Sequence, residues 1–209
     1  MKYLFQNGDI SIRKMEDNIR DYSVMAKWLS TEELLDYYEG RSNSFDLEKV
    51  IKKFAPRAKG EDAVVPCLIE HNQKAIGYIQ YFRIDPDGYD VGDAINMENY
   101  GLPYGMDLFI GETDNWNKGL GTIVVMSLIR YLFMNENADI IFIDPQTWNK
   151  RAIGCYEKSG FTPRVVIKNR EMHDGEYKDS LIMTISFEDW KFTMKQKGIG
   201  MFESDFSSD

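Results

Sequence analysis

Between residues 104 and 143 the hydrophobic period of the chain changes twice, and this stretch constrains the fold more than any other. Tyr104-Gly-Met-Asp-Leu-Phe-Ile110 alternates as a strand does. A turn rich in Asn and Gly follows, and Gly119 to Met134 is then apolar at helical length. Ile140 to Ile143 reads as a short buried strand. Strand, helix and buried strand in succession imply a sheet layered with helices. Within the first strand, Tyr104, Met106, Leu108 and Ile110 share one face, and Gly105, Asp107 and Phe109 the other. Asp107 is thus an acid among apolar neighbours, a costly placement without a partner or a task.

The flanking segments extend the pattern. Asp9 to Lys14 is the first expected strand, with Ile10 and Ile12 alternating. A helix is expected from Asp17, read as its N-cap, with Ile19, Tyr22, Met25, Ala26 and Leu29 on one face. A short helix should begin at Thr31, followed by two first-turn acids, and end near Gly40. Phe45 to Phe54 reads as a third amphipathic helix closed by Pro56. Val64–Glu70 and Lys74–Arg83 form an expected hairpin across His71-Asn72-Gln73. Residues 84–103 make a loop of a length that is often functional. Asn149–Ser159 is a helix stopped by Gly160. Phe161–Lys168 and Tyr177–Phe187 are strands joined by a turn containing Asp174-Gly175. The expected class is α/β, one domain over residues 1–187, followed by a partly ordered tail, 188–209.

Charge and cysteine usage narrow the function. Lys and Arg total 25 against 34 Asp and Glu, a formal net charge of −9. That balance disfavours nucleic-acid binding, which needs cations at phosphates, and favours a cationic partner. Cys67 and Cys155 are too few for a disulfide scaffold and match no zinc spacing, so no metal is expected. No run approaches the roughly 18 apolar residues of a membrane span, and the first residues lack the apolar run of a signal peptide. The expected location is a reducing cytoplasm, with no membrane partner.

Two motifs carry chemistry. Lys118-Gly119-Leu120-Gly121-Thr122 lies where turn passes into helix. Free N–H groups and the helix dipole there favour a phosphate, although a Gly-x-Gly equally marks a tight strand-to-helix connection. It is neither a Walker loop nor a dinucleotide fingerprint. The second motif is Asn149-x-Arg-Ala-Ile-x-x-Tyr156-Glu-Lys-x-Gly160-Phe161, just after the short strand. It resembles the C-terminal motif of the GCN5-related N-acetyltransferase superfamily, and Lys118–Thr122 resembles that superfamily's acetyl-CoA pyrophosphate loop. The element order agrees over residues 9–187. Within the superfamily, Trp28-Leu, Tyr37-Tyr-Glu-Gly, Tyr104–Glu112, Trp116–Thr122 and Asp144-Pro resemble the aminoglycoside 6'-N-acetyltransferases, a likeness shared in part with siderophore-pathway acetyltransferases. The superfamily usually has Arg or Gln three residues before the first loop glycine; this chain has Trp116.

The resemblance implies a GCN5-related acetyltransferase fold, a mixed and mostly antiparallel sheet flanked by helices, and acetyl-CoA as co-substrate without a metal. It places acetyl-CoA against Phe109, Ile110, Trp116, Asn117, Lys118, Gly119, Leu120, Gly121 and Thr122. Asn149 joins them and also caps its helix. The acceptor amine would attack the thioester directly, so no enzyme nucleophile is needed. That suits a chain whose only histidines are His71 and His173. Asp107 is the candidate to hold the ammonium and take its proton, and Tyr156 to meet the leaving thiolate. A backbone N–H around Phe109 is expected at the oxyanion. Read from residues alone, Asp107 has the alternative of an acid satisfied by a nearby turn or Lys, and Tyr156 reads as a core tyrosine. Cys155 points about 100° from Tyr156 on a helix and is read as packing.

Residues 84–117 hold Asp85, Asp87, Asp90, Asp93, Glu98, Asp107, Glu112 and Asp114 and no Lys or Arg. This is either a solvated acidic surface or a field for a polycation such as an aminoglycoside. Asp107, Glu112 and Asp144 are the expected acids at the substrate, and Tyr37 and Tyr38 its expected flat walls. The leading reading is acetylation of the 6'-amine of an aminoglycoside, a resistance activity. The alternatives are acetylation of another amine, such as a siderophore precursor or polyamine, and a non-catalytic acyl-CoA-binding module.

Overall fold

The computed structural model describes residues 3–86, 88–89, 91 and 95–196. Its strands are β1 (Tyr3–Asn7), β2 (Ile10–Lys14), β3 (Val65–His71), β4 (Lys74–Arg83), β5 (Pro103–Ile110), β6 (Ile140–Ile143), β7 (Thr162–His173) and β8 (Glu176–Ser186). They lie in one sheet of order β1-β2-β3-β4-β5-β6-β8-β7. Every neighbouring pair is antiparallel except β5 and β6, so the sheet is mixed and mostly antiparallel, as expected.

The parallel pair is short. Pro103, Tyr104 and Gly105 face Ile140, Ile141 and Phe142, and there the pairing stops. Beyond it β5 runs on to Ile110 bonded to β4 alone, while β6 stays with β8. The sheet therefore opens along the second half of β5.

Helices cover both faces. α4 (Leu120–Asn135) and α6 (Phe187–Gln196) pack on one, where Val124, Val125, Leu128, Ile129 and Leu132 meet Ile12, Ile69, Ile79, Met106 and Ile141. α1 (Ile19–Trp28), α2 (Glu32–Leu35) and α3 (Leu47–Lys59) cover the other through Met25, Trp28, Leu34, Val50 and Phe54 against Leu68, Tyr78 and Phe109. The far end of that face lies under the long loop, with Tyr89, Val91 and Met97 over Ile140, Phe142 and Ile182. α5 (Lys150–Lys158) follows β6 and buries Tyr156. A buried Arg13 clamps three elements: it grips Asp21 of α1 with two N–H···O bonds of 2.7 and 2.8 Å, and Glu70 of β3 with a third of 2.7 Å. Buried charges persist when paired in this way. Among the described residues no helix is long and apolar enough to cross a membrane.

Several local expectations are corrected. The N-cap of α1 is Asn18, whose side chain accepts from the Asp21 N–H, while Asp17 accepts from the Tyr22 hydroxyl. Thr31 precedes α2 without capping it, because its hydroxyl donates back to the Lys27 carbonyl. α2 is one turn rather than a helix to Gly40. α3 begins after its cap Asp46, passes through Pro56 and ends at Gly60, which takes the left-handed conformation. Proline costs that helix one ladder bond near its end, and buried Val50, Phe54 and Ala55 hold the rest. β1 lies in a segment for which no strand was expected, and β7 extends to His173. The Asp174-Gly175 turn is as expected, with positive φ at both residues. The first residues of the expected tail form α6, whose Trp190 lies 5.3 Å from the Phe133 ring and 6.0 Å from Phe187. Residues 197–209 lie outside the described residues.

If α6 is part of the core, Trp190→Ala should cost about 3–5 kcal/mol, the usual range for removing a buried aromatic. Equilibrium urea unfolding reads this as a lower midpoint at unchanged slope. An unmoved midpoint would make α6 an appendage.

Candidate active site

A cavity of about 310 Å³ occupies the gap between β5 and β6. Residues 107–110 of β5 form one wall and residues 143–146, at the end of β6, the other. Tyr37, Tyr38 and Glu39, just after α2, and Asn149, Arg151, Cys155 and Tyr156, at and within α5, complete the lining.

The ladder fixes which backbone groups face the gap. The Ile84 N–H donates to the Pro103 carbonyl, and the Gly111 N–H to Ile76. Odd-numbered β5 residues therefore bond β4. Leu108 and Ile110 turn their N–H groups toward the cavity, and the Phe109 N–H is engaged with Tyr78 across β4. The free donors are thus those of the two neighbours of Phe109, within the stretch expected from the sequence. Phe109 instead stacks its ring with Tyr38 and Tyr78, at 4.8 and 5.6 Å.

Asp107 stands on the cavity wall, where its carboxylate accepts a 3.1 Å hydrogen bond from the Tyr38 hydroxyl. Burial, with Asp144, Glu171 and Glu39 nearby, pushes its carboxyl up to about 7, and the Tyr38 hydrogen bond only partly opposes this. Among the described residues no Lys or Arg is paired with it, and the Tyr38 hydroxyl is the donor it meets. Tyr156 lies across the cavity, its ring edge-on to Phe161. Burial, with Asp107 close by, raises its hydroxyl well above the usual tyrosine range, so it keeps its proton. That hydroxyl has no hydrogen-bond partner among the described residues.

Acids reach the cavity from four separate segments. Asp144, at the end of β6, is paired with Arg170 at 3.3 Å and accepts from the Tyr89 hydroxyl. Glu171 of β7 accepts from Gln146, and burial raises its carboxyl. Glu39 is held by Lys53 and Asn43. Glu39 and Glu171 were not foreseen. Left-handed backbone at Glu39 and Gly40, and a register shift between Ile167 and Glu171, bring them in, and neither leaves a charge run in the sequence. Glu112, expected at the substrate, lies elsewhere. Its carboxylate accepts from Lys27 Nζ at 2.6 Å and Trp28 Nε1 at 2.8 Å, tying α1 to the end of β5. Gly111 lets that strand pass flat on Trp28, where a Cβ would come within 2.3 Å of the indole. Asp87, Asp90 and Asp93 lie outside the described residues.

At the head of α4, Gly119 is the N-cap in left-handed conformation and supplies no side-chain cap, and Asn117 is also left-handed. The N–H groups of the first turn, Leu120 to Thr122, thus lack intrahelical partners. Nothing lies within 4 Å of where a Cβ on Gly119 would be. Lys118 is exposed beside them. Trp116 spends its indole N–H on the Ile110 carbonyl, at 2.7 Å. Asn149 caps α5 by accepting from the Ala152 N–H, which leaves its amide N–H₂ for the cavity. Cys155 does pack, 3.5 Å from the Thr122 hydroxyl, and it also lines the cavity. Among the described residues no group of three or more His, Cys, Asp or Glu is placed to hold a metal ion.

The chain is similar to known proteins. The family described as an acetyltransferase (GNAT) domain matches residues 17–168. An aminoglycoside N(6')-acetyltransferase type 1 of Klebsiella pneumoniae is 28% identical over 156 residues, covering 74% of this chain and 75% of that protein. A kanamycin resistance protein of Rhizobium radiobacter is 42% identical over 57 residues, which cover 27% of this chain and 53% of that protein. The crystal structure of aminoglycoside acetyltransferase AAC(6')-Ib with coenzyme A and kanamycin shares the fold, with a TM-score of 0.71 at 24% identity over 88% of this chain and 98% of that one. A spermidine N-acetyltransferase of Vibrio cholerae, crystallised with CoA and spermine, shares it too, with a TM-score of 0.70 at 16% identity over 88% and 99%.

The raised carboxyl of Asp107 has a consequence for stability. An unfolded Asp titrates near 3.9, so the folded chain holds this proton more tightly. The advantage to the fold is full below about pH 4 and is lost as pH rises through about 7. Asp107→Asn should therefore melt close to the wild type at pH 4 and a few degrees above it at pH 8. Equal differences in melting temperature at the two pH values would show that the carboxyl is not perturbed.

Proposed function

We propose that this chain, which belongs to the acetyltransferase (GNAT) family, moves the acetyl group of acetyl-CoA to the 6'-amine of an aminoglycoside. The observation that carries the reading is the unneutralised Asp107, facing a cavity ringed by Asp144, Glu171 and Glu39. Such a wall suits an acceptor with several ammonium groups and repels anions. The gap beside β5 and the uncapped head of α4 suit an extended acyl donor that ends in a pyrophosphate. The donor supports a cytoplasmic location.

The residues divide the work. An alkyl ammonium holds its proton to about pH 10 and cannot attack until it gives one up. Asp107, poised near 7, holds the ammonium and accepts that proton. The amine nitrogen then bonds to the thioester carbon, and the electron pair moved onto the carbonyl oxygen meets the N–H groups of Leu108 and Ile110. As the C–S bond breaks, the thiolate takes a hydrogen bond from Tyr156, whose firmly held proton suits it to donate. Tyr38 fixes the orientation of the Asp107 carboxylate.

A second reading is a polyamine acceptor, because acids on four segments serve any polycation and a fold neighbour was crystallised with spermine. CoA thiol release with kanamycin-type drugs that carry or lack a 6'-amine, and with spermidine, separates the two. Turnover only with a 6'-amine is the expected result; turnover with spermidine alone favours the second reading, and none with any amine overturns both. With the right acceptor, Tyr156→Phe should lower kcat by about 10- to 1000-fold. For the wild type, kcat/KM should rise as pH passes through about 7, because Asp107 must ionise to act. A flat profile from pH 6 to 8 would remove Asp107 as the base.

A further inference from the structure

Arg151 departs from the charge pattern of the cavity. Its guanidinium lies 3.9 Å from the centre of the Trp116 ring and 4.2 Å from that of Tyr37. The two rings are mutually perpendicular, at 5.8 Å. Cation–π contact holds the guanidinium in place without using its N–H donors. Among the described residues no carbonyl or carboxylate accepts from it, although four acids line the same cavity. Arg151 is exposed, so those donors are open to an anion that enters the cavity, while its charge would repel an ammonium acceptor.

The position of Arg151 identifies that anion. Arg151 and Cys155 are four apart on α5 and share a face. Cys155 touches Thr122 and stands 3.5 Å from where a Cβ on Gly121 would be. Trp116, under the guanidinium, leads directly into the loop at the head of α4. The loop has no Arg or Gln at position 116, and the indole there donates to Ile110. We propose that Arg151 supplies from α5 the side-chain phosphate contact that this loop lacks, binding a phosphate group of coenzyme A with its guanidinium braced on Trp116 and Tyr37. The inference rests on the acetyl-CoA reading above and adds a phosphate-binding residue to it. The residue is exposed, and partial desolvation lowers its affinity for its proton.

Calorimetric binding to the full chain tests this without turnover. Three ligands are compared: CoA, dephospho-CoA, which lacks the 3'-phosphate, and pantetheine, which has no phosphate. Arg151→Ala should weaken CoA binding by about 10- to 100-fold, the range of a charge-assisted contact. It should leave pantetheine unchanged, and Arg151→Lys should fall between. A penalty kept with dephospho-CoA assigns the contact to the pyrophosphate; one that disappears assigns it to the 3'-phosphate. Wild-type CoA affinity in a folded Arg151→Ala variant, checked by circular dichroism, would overturn the proposal. So would an equal loss for CoA and pantetheine, which would mean Arg151 only packs the wall. A wild-type chain that binds no CoA would instead overturn the acetyl-CoA reading and this inference with it.

Discussion

The early parting of β5 from β6 is the constraint on which the rest of the site depends. Three residue pairs hold the strands together, and five residues of β5 then run on without a partner strand on that side. Unpaired backbone donors inside a protein are costly, so such an edge persists only beside water or a ligand. The neighbouring elements are fixed by the divergence. α4 starts where the turn after β5 folds back, and α5 starts where β6 stops, so both N-termini and the end of β6 converge on the gap. β4 and β8 hold the two strands from outside and keep the opening from collapsing.

Electrostatics then divides the gap. Asp107, Asp144, Glu171 and Glu39 make one region negative, while Arg151 and the uncapped head of α4 make the other positive. Only Asp107 among these acids lacks a compensating cation or amide: Asp144 has Arg170, Glu39 has Lys53, and Glu171 has Gln146. The paired acids set the field, and the unpaired one is left reactive. A buried acid without a compensating cation reduces stability when it is ionised.

How much of this was legible in the sequence depends on the kind of interaction. β5, α4, β6 and α5 were read with nearly correct bounds because each shows its own period, and the motifs on them located Asp107, Tyr156 and Asn149 at the cavity. α6 also left a signal that went unread: Phe187, Trp190 and Met194 recur at helical spacing. β1 had less to show, since none of its five residues is buried. Glu39, Glu171 and Arg151 required the tertiary fold, because their roles come from left-handed backbone, a register shift and two rings more than thirty residues away. The acidic run 84–117 misled in detail: Glu112 serves α1, and most of the cavity's acids come from outside the run.

The charges around Asp107 also make its carboxyl sensitive to whatever the cavity holds. Part of its upward shift comes from Asp144, Glu171 and Glu39, and a cation that settles on any of them cancels some of that contribution. A heavily charged acceptor thus binds more firmly and, by the same contacts, draws Asp107 back toward an ordinary, weaker carboxylate. A sparsely charged amine meets a stronger base but a looser grip. If the proposed reaction runs here, tight capture and strong proton abstraction are opposed, and an acceptor of intermediate charge gains most from both.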